Sequence, residues 1–591
     1  MNTKSRPAPP LPESLQWGSD VVAWTLRSLP IDFIALNPGA SYRGLHDSLV
    51  NVLEDTAPQI LVCLHEEHAV ALAHGYAKVT GRPMAVALHS NVGLMHGSMA
   101  IYNAWCDRAP MLILGATGPV DANKRRPWID WIHTSQDQAA LIRPFIKWDN
   151  QPASAEATVE SLLRAWQATQ RRPQGPVYVC LDVEIQETAI EQPFNLPDIQ
   201  RFEQGQPPVP AQQSIDQAAK MIQSATNPVI LAGRVSRDTV DWDQRVALAE
   251  RLGATVMTDL KIAAAFPTDH PLHPLPPAFR LDPASIQLLA KADLILSLDW
   301  LDLGGTLHTV WPDGNPTATI IHASLDDYAM NGWAMNHQRM APIDLALDGT
   351  PESVVTGLLE RIETRHSVRT ESTQPRPNIP PPTQAFDLLA LATTLKTVLD
   401  QRAVSYLRLP LGWPSITTTF KHPLDYLGYD GGAGIGSGPG MVIGSALGLK
   451  GSDRLPVAVL GDGDLMMGAN ALWTAARHQI PILIIVANNR AYFNDVAHQE
   501  TVALKRKRNV ENKWVGQRLE DPAIDLAAVA RAQGFYAEGP VGNEASLKTA
   551  LTNAIRQVES GQPALIDVVI TAGYMSGVVD FNNHAHEKNN H

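Results

Sequence analysis

The fold of this chain is decided by one stretch, GDGDLMMGANALWTAARHQIPILIIVANN at residues 461–489. An apolar run at 455–460, LPVAVL, comes before it and has the length and β-branched content of a buried parallel strand. A segment with apolar residues at helical spacing follows the glycines. A second apolar run, PILIIVA at 481–487, then leads into two asparagines. The pattern predicts strand, helix and strand, with polar groups at the end of each strand.

Asp462 and Asn489 would stand at the carboxyl ends of these strands, at the edge where open α/β sheets bind ligands. They are 27 positions apart, which leaves room for one crossover helix between neighbouring parallel strands. A carboxylate and an amide carbonyl would then converge on a hard cation, because ions such as Mg²⁺ prefer oxygen ligands. The alternative is an ordinary turn that happens to contain glycine and aspartate.

Composition narrows the class of protein. With 591 residues the chain exceeds one hydrophobic core, and its length predicts roughly three to four domains. The net charge of −13 argues against nucleic acid as a partner. The three scattered cysteines, Cys63, Cys106 and Cys180, fit neither a metal site nor a disulfide framework and indicate a reducing compartment, the cytoplasm. We expect no signal peptide and no membrane association, since no apolar run approaches the roughly 18–20 residues of a membrane span.

Apolar runs alternate with helical segments along three parts of the chain, which predicts an α/β fold of three doubly wound parallel-sheet domains. We place these domains at residues 13–190, 213–362 and 386–575. Stretches rich in proline and glutamine separate them and are predicted to be linkers. The polar tail at 581–591 is predicted to be mobile.

The motif and the three-part order resemble those of the thiamine diphosphate (ThDP)-dependent decarboxylase and acetolactate synthase superfamily, and the resemblance covers nearly the whole chain. It implies a pyrimidine-binding domain, a central domain and a diphosphate-binding domain, in that order. It also implies that Asp462, Asn489 and the carbonyl of Ala491 hold Mg²⁺ on the cofactor. The other cofactor contacts implied in this stretch are Gly461, Gly463, Asp464 and Asn488.

The first domain contains LHEEHAVALAHGYA at 64–77, and the family has a glutamate at a fixed distance before Gly-Tyr-Ala. Counting back places it at Glu66, with Glu67 as a surface charge. The resemblance implies that Glu66 contacts the pyrimidine N1′ and so promotes removal of the proton from the thiazolium C2. The alternative is that the two acids open a helix, where negative charge favours the dipole.

A glycine-dense run, GYDGGAGIGSGPGMVIGSALG at 428–448, precedes the GDG strand and permits unusual backbone angles close to a ligand. By its position in the family, Ile435 would hold the cofactor in its bent shape. The backbone carbonyl of Ala433 would accept a hydrogen bond from the 4′-amino group. The alternative is a flexible loop without a ligand.

Two histidines are candidates for proton transfer to the substrate. His89 lies in LHSNVG, similar to a Leu-His-Ser segment of benzoylformate decarboxylases, whereas acetolactate synthases usually lack this histidine. It could equally satisfy a backbone carbonyl. His133, with Thr134, lies where relatives place side chains over the thiazolium. In NPGAS at 37–41, Ala40 replaces the expected serine and Ser41 comes one place later, which leaves substrate recognition open.

The central domain is not expected to bind FAD, although that of acetolactate synthases does. In SLDWLDLGGT at 297–306, Asp299 and Asp302 replace a phosphate-binding arginine and would repel an anion. The basic KRKR at 505–508 is predicted to be a solvated surface rather than an anion site. The segment around it matches no better-known relative and is predicted to be mobile over the active site.

The sequence therefore predicts a ThDP- and Mg²⁺-dependent enzyme that cleaves or forms a carbon–carbon bond beside the carbonyl of a 2-oxo acid or 2-hydroxy ketone. Chemistry like that of benzoylformate decarboxylase is favoured. Ligation as in acetolactate synthase and cleavage as in benzaldehyde lyase stay open, as does a cofactor-binding regulatory protein without turnover. The family resemblance implies a homodimer or homotetramer in which Glu66 and Asp462 of different chains meet at one cofactor.

Overall fold

The computed structural model describes residues 15–191, 196–202, 205–329, 339–363, 379 and 385–573. Apart from residue 379, the predicted linker at 370–384 lies outside the described residues. The tail at 581–591 and part of the linker at 191–213 also lie outside them. Within the described ranges, no helix combines the length and the apolarity that crossing a membrane requires.

The first sheet is built from β1 (Phe33–Leu36), β2 (Gln59–Val62), β3 (Met84–Leu88), β4 (Met111–Thr117), β5 (Asp149–Asn150) and β6 (Pro176–Asp182). These strands pair in parallel in the order β2-β1-β3-β4-β6-β5. The helices of this part are α1 (Gly18–Ser28), α2 (Arg43–Asn51), α3 (Glu66–Thr80), α4 (Ser90–Cys106), α5 (Ile129–Ile132), α6 (Ala155–Gln170) and α7 (Val183–Glu187).

The second sheet is built from β7 (Pro228–Ala232), β8 (Thr255–Met257), β9 (Leu294–Leu298), β10 (Thr319–Ala323) and β11 (Leu345–Leu347). These strands are also parallel, in the order β11-β10-β9-β7-β8. The helices of this part are α8 (Gln212–Ser224), α9 (Thr239–Leu252), α10 (Pro283–Ala290), α11 (Leu303–Val310) and α12 (Pro351–Leu359).

The third sheet is built from β12 (Val404–Arg408), β13 (Leu455–Gly461), β14 (Leu483–Asn488), β15 (Tyr536–Val541) and β16 (Ala564–Val569). All pairs are parallel, in the order β12-β13-β14-β16-β15. The helices of this part are α13 (Leu388–Leu399), α14 (Gly438–Gly448), α15 (Asp462–Met467), α16 (Ala471–Arg477), α17 (Phe493–Lys505), α18 (Leu526–Ala532) and α19 (Glu544–Glu559).

The predicted α/β fold with three parallel sheets is confirmed. Its strands could be predicted because long apolar runs, such as those of β4 and β13, are buried as parallel strands require. The connection between β13 and β14 differs from the prediction. Two short helices, α15 and α16, replace the single crossover helix, since the first ends before Gly468. The strands are nonetheless direct neighbours, with Gly461 opposite Ala487.

The first and third parts pack together along helices α3 and α14. The two backbones touch: a Cβ added to Gly444 would overlap the carbonyl oxygen of Leu72, and one on Gly75 would overlap that of Met441. Glycine is therefore required at both positions. One apolar core includes Leu72 and Met441 together with Leu460 of β13, so the two parts share a hydrophobic interior.

Candidate active site

The carboxyl ends of β1 and β3 bring Ser41 and His89 together. The Ser41 hydroxyl lies 2.9 Å from Nδ1 of His89, and the Ser41 backbone N–H points to the same nitrogen over 3.4 Å. The backbone N–H of Ser90 donates to the Ser41 hydroxyl over 3.1 Å. Ser41, whose role the sequence left open, is therefore the hydrogen-bonding partner of His89.

His133 lies against His89 although 44 residues separate them in the chain. Their ring centroids are 4.8 Å apart, edge to face. Asn91 holds this segment in place by donating to the carbonyl of Ile132 over 3.1 Å. Burial, and then the charge of His133, lowers the pKa of His89 against the opposing effect of Glu66. The His89 imidazole is thus neutral at neutral pH. Thr134 lies next in the chain, and its buried hydroxyl has no hydrogen-bond partner among the described residues.

Glu66 begins α3 at the end of β2, and only 5% of it is exposed. Its carboxylate lies 3.0 Å from Nδ1 of His96 on α4. Burial alone would raise the pKa of Glu66, but hydrogen bonds from His96, from the backbone N–H of Glu66 itself and then from Asn37 outweigh burial and lower it. Glu67, expected to be a surface charge, is instead half-buried and accepts a hydrogen bond from Ser437 of the glycine-dense run over 2.8 Å.

The predicted metal ligands meet where β13 and β14 end. Asp462 is 5% exposed; one of its carboxylate oxygens accepts from the Gly463 N–H over 2.9 Å, and the other is buried without a partner among the described residues. Burial raises the pKa of Asp462 to about 6, against the backbone N–H groups of Gly463, Arg490 and Ala491. The Asn489 side-chain oxygen accepts from the Ala491 N–H over 3.0 Å. An unpaired, buried carboxylate oxygen beside amide oxygens fits a divalent cation.

Two predicted cofactor residues, Asp464 and Asn488, make contacts inside the protein. Asp464 pairs with Arg408 over 2.7 Å and accepts the Gly436 N–H over 2.7 Å. Asn488 donates to Asp567 of β16 over 2.9 Å. Both side chains thus hold the surrounding backbone in place.

The glycine-dense run presents the two residues that the sequence singled out. Ala433 has a left-handed backbone (φ +55°), and Ile435 is 38% exposed, unusual for an isoleucine. Asn103 of α4 donates to the carbonyl of Gly434 over 3.3 Å and so ties the run to the first part of the chain. A Cβ at Gly461 would meet no atom, so space is open at the end of β13.

The central part carries an ion-pair cluster at the carboxyl ends of its strands. Asp299 pairs with Arg108 of the first part over 2.6 Å, while Asp326 pairs with Arg108 and, over 3.1 Å, with Arg234. The prediction that Asp299 repels an anion is therefore wrong, because Arg108 neutralises the charge of Asp299. Asp302 caps α11 by accepting the Gly305 N–H over 2.9 Å. The KRKR segment is exposed as predicted, and α17 precedes it and ends at its first lysine.

Sequence reasoning missed His65, His96 and Arg408. His65 precedes Glu66 and caps α3 by accepting the Glu67 N–H over 3.2 Å. His96 lies seven residues after His89, two helical turns further along the same face, and this spacing was the available signal. Arg408 gave no signal of this kind, because its importance depends on its ion pairs with Asp430 and Asp464, which the sequence does not show.

Three family models match this chain. The N-terminal thiamine pyrophosphate (TPP) binding domain matches residues 16–141, the central domain of the same enzymes matches 215–348, and the C-terminal TPP binding domain matches 412–568. Thiamine pyrophosphate is another name for thiamine diphosphate. The three matches cover most of the chain in the order that the sequence resemblance implied.

Individual relatives agree with these matches. A benzoylformate decarboxylase of Pseudomonas aeruginosa is 24% identical over 541 residues, covering 85% of this chain and 90% of that one. An acetolactate synthase large subunit of Haemophilus influenzae is 24% identical over 492 residues, covering 80% and 82%. The crystal structure of benzoylformate decarboxylase from Polynucleobacter necessarius shares the fold, with a TM-score of 0.79 at 21% identity over 95% of this chain and 99% of that one. The two relatives are a lyase, the decarboxylase, and a transferase, the acetolactate synthase. The chain belongs to the family of thiamine-diphosphate-dependent enzymes.

Proposed function

We propose that this enzyme cleaves the bond between the carbonyl and carboxyl carbons of a 2-oxo acid, as benzoylformate decarboxylase does, with His89 as the proton-transfer residue. The observation that carries this proposal is the cluster of Ser41, His89 and His133 at the sheet edge where Glu66 begins α3. A carboxylate for cofactor activation and imidazoles for substrate protonation would then serve one site.

The third part of the chain would hold the cofactor and its metal ion. Asp462 and Asn489, with the carbonyl of Ala491, would bind Mg²⁺, and the buried, unpaired Asp462 oxygen supports this assignment. Ile435 and the carbonyl of Ala433 would orient the pyrimidine. Bound thiamine diphosphate would supply the carbon nucleophile and accept the electron pair on cleavage.

The hydrogen bonds around His89 support one placement of its ring proton. The Ser41 N–H points to Nδ1, and the Ser41 hydroxyl, which accepts from Ser90, donates to the same atom. In a neutral ring the proton is then on Nε2. His89 would therefore protonate the substrate from Nε2, while Ser41 fixes the orientation of the ring.

Glu66 would act on the cofactor rather than on the substrate. Its buried carboxylate has a lowered pKa and is ionised at neutral pH, so it would hold a proton at the pyrimidine N1′. In the family, this glutamate and the metal site belong to different chains, and we expect at least a dimer. The three free cysteines support a reducing compartment, and we place the enzyme in the cytoplasm.

We expect no FAD in the central part, for a reason other than the one predicted. A Cβ on Gly233 would overlap the backbone of Asp299, so the ends of β7 and β9 lie in close contact there. Arg108 and Arg234 are already engaged by Asp299 and Asp326. These arginines are therefore committed to internal ion pairs.

The decisive experiment is a substrate panel of 2-oxo acids and acyloins, with CO₂ and aldehyde measured separately. Decarboxylation gives both CO₂ and free aldehyde. Ligation, favoured by the acetolactate synthase relatives, gives CO₂ and a larger ketone, and benzaldehyde-lyase-like cleavage gives aldehydes without CO₂. No turnover and no covalent adduct with any 2-oxo acid would point to the regulatory alternative.

A further inference from the structure

Two histidines flank Glu66 on the surface side of the site. His65 precedes it in the chain, and His96 reaches it from α4. The rings of His65 and His96 are stacked with centroids 4.8 Å apart. One ligand atom from each of the three side chains lies within 4.8 Å of the others. Among the described residues, no other three side chains of His, Cys, Asp or Glu come together in this way.

The chemistry of this group suits a transition-metal ion better than Mg²⁺. Two imidazoles and one carboxylate are ligands typical of zinc, whereas Mg²⁺ prefers oxygen alone. Tetrahedral zinc places its ligand atoms about 3.4 Å apart. The carboxylate and the His96 Nδ1 are already 3.0 Å apart, so the remaining adjustment falls mainly on His65.

The group combines an exposed histidine with a buried, anchored carboxylate. On the single chain the His96 side chain is 57% exposed, whereas the Glu66 side chain is 7% exposed and fixed at the start of α3. The Nδ1 of His65 accepts the Glu67 N–H, so its Nε2 is the atom left to bind an ion. A bound ion would replace the proton between the Glu66 carboxylate and the His96 Nδ1, and the helix cap would stay intact.

We propose that His65, Glu66 and His96 form a binding site for a divalent transition-metal ion of the zinc type, and that this ion inhibits the enzyme. An ion on the Glu66 carboxylate would withhold it from the cofactor. The site itself stands on the geometry of the three side chains. Its inhibitory effect rests on the proposed role of Glu66 as the cofactor-activating residue.

Binding is tested with Co²⁺ as a spectroscopic probe for zinc, added to full-length protein freed of thiamine diphosphate and Mg²⁺. The variants are His96→Gln and His65→Asn; asparagine keeps the helix cap but removes the imidazole. Each should weaken Co²⁺ binding at this site by at least about tenfold, because loss of an outer-sphere partner alone costs that much. Zn²⁺ should displace the cobalt signal.

Controls separate this site from others. His46→Ala, an exposed histidine on α2, should bind as the unmodified protein does, and Asp462→Ala should keep the cobalt spectrum because its site lies in the third sheet. The tail histidines at 584, 586 and 591 are shared by all variants, so the difference between variants is the readout. Equal affinity and spectra in the unmodified protein, His96→Gln and His65→Asn would overturn the site.

Inhibition is tested by the exchange of the cofactor C2 proton in excess Mg²⁺, compared for each variant with its own rate without zinc. Zn²⁺ should slow exchange in the unmodified enzyme and have at least about tenfold less effect in His96→Gln. If the variants lose the metal but Zn²⁺ never slows exchange, the binding site is confirmed and its inhibitory effect is overturned, whereas the role of Glu66 itself is decided by C2 exchange in Glu66→Gln.

Discussion

The Nε2 atom of His478 accepts the backbone N–H of Val62 over 3.1 Å. Val62 belongs to β2, the edge strand of the first sheet, and His478 follows α16 of the third. Thr474 of α16 donates to the Val62 carbonyl over 3.0 Å. The backbone N–H and carbonyl of Val62 are therefore both satisfied by side chains of the third part. The contact protects an exposed strand edge and joins the two parts that would bind the cofactor.

This contact predicts a loss of stability in acid. Burial, and then Arg477 and Lys450, lowers the pKa of His478 to about 4, and burial lowers that of His68 to about 4 as well. Unfolded histidine titrates near 6.5, so between about pH 6.5 and 4 the native state binds fewer protons than the unfolded state. The urea midpoint should therefore fall as pH decreases through this range.

His478→Gln is the matched test, because glutamine can accept the Val62 N–H without titrating. Its urea midpoint should depend less steeply on pH between 6.5 and 4 than that of the unmodified protein. The exposed His46→Gln should change nothing. An identical pH slope in His478→Gln would contradict the assignment.

A second prediction concerns the buried pair of Arg408 and Asp464. Arg408 is 2% exposed, pairs with Asp464 and, over 3.2 Å, with Asp430, and lies over the ring of Tyr429. Arg408→Met would leave two buried carboxylates without their cation, which typically costs about 3–5 kcal/mol. We expect a lower thermal midpoint and weaker ThDP binding.

The double variant Arg408→Met/Asp464→Asn separates charge from packing. It removes one stranded carboxylate, so it should recover part of the thermal midpoint that Arg408→Met loses. A double variant no more stable than Arg408→Met would show that packing, and not the unpaired charge, is the cause.

Local patterns predicted the sheets well, because continuous apolar runs such as 84–88 and 455–460 mark buried parallel strands whatever packs against them. Contacts between distant segments were not predictable in the same way. Arg408 and Asp464 are 56 positions apart, and Ser41 and His89 are 48 apart, so no spacing rule connects them. Family resemblance named His89 but not its partner. The cluster around Glu66 also depends on how α4 returns to α3, which only the tertiary structure fixes.

The third prediction tests the metal site. Asp462→Ala removes the only carboxylate assigned to the ion, so Mg²⁺-dependent binding of ThDP should be abolished in calorimetry. Asp453→Ala, an exposed aspartate at the opposite end of β13, is the matched control and should bind normally. Undiminished cofactor affinity in Asp462→Ala would refute the assignment.

The fourth prediction tests whether two chains share one site. Glu66→Gln and Asp462→Ala should each be inactive alone, whereas co-expression should recover roughly a quarter of the activity, since half of the dimers would carry one native site. Co-expressed Glu66→Gln and His89→Ala, both changed in the first part, should recover none. If the first pair also recovers nothing, the site lies within one chain, where α3 already packs along α14.

The last prediction separates cofactor activation from substrate protonation. Glu66→Gln keeps the size of the side chain and its hydrogen bonding but cannot share a proton with N1′. General acid–base groups contribute about 10²–10⁴-fold in rate, so C2 hydrogen–deuterium exchange without substrate should slow by this order. His89→Ala should leave that exchange nearly intact and slow only steps that need substrate, because its hydrogen bonds go to Ser41 and not to the glutamate.

Ser41→Ala should reproduce a milder form of the His89 defect, since the ring loses its orienting partner. Equal slowing of C2 exchange by Glu66→Gln and His89→Ala would contradict this division of roles, and unchanged turnover of every substrate by His89→Ala would make that histidine structural.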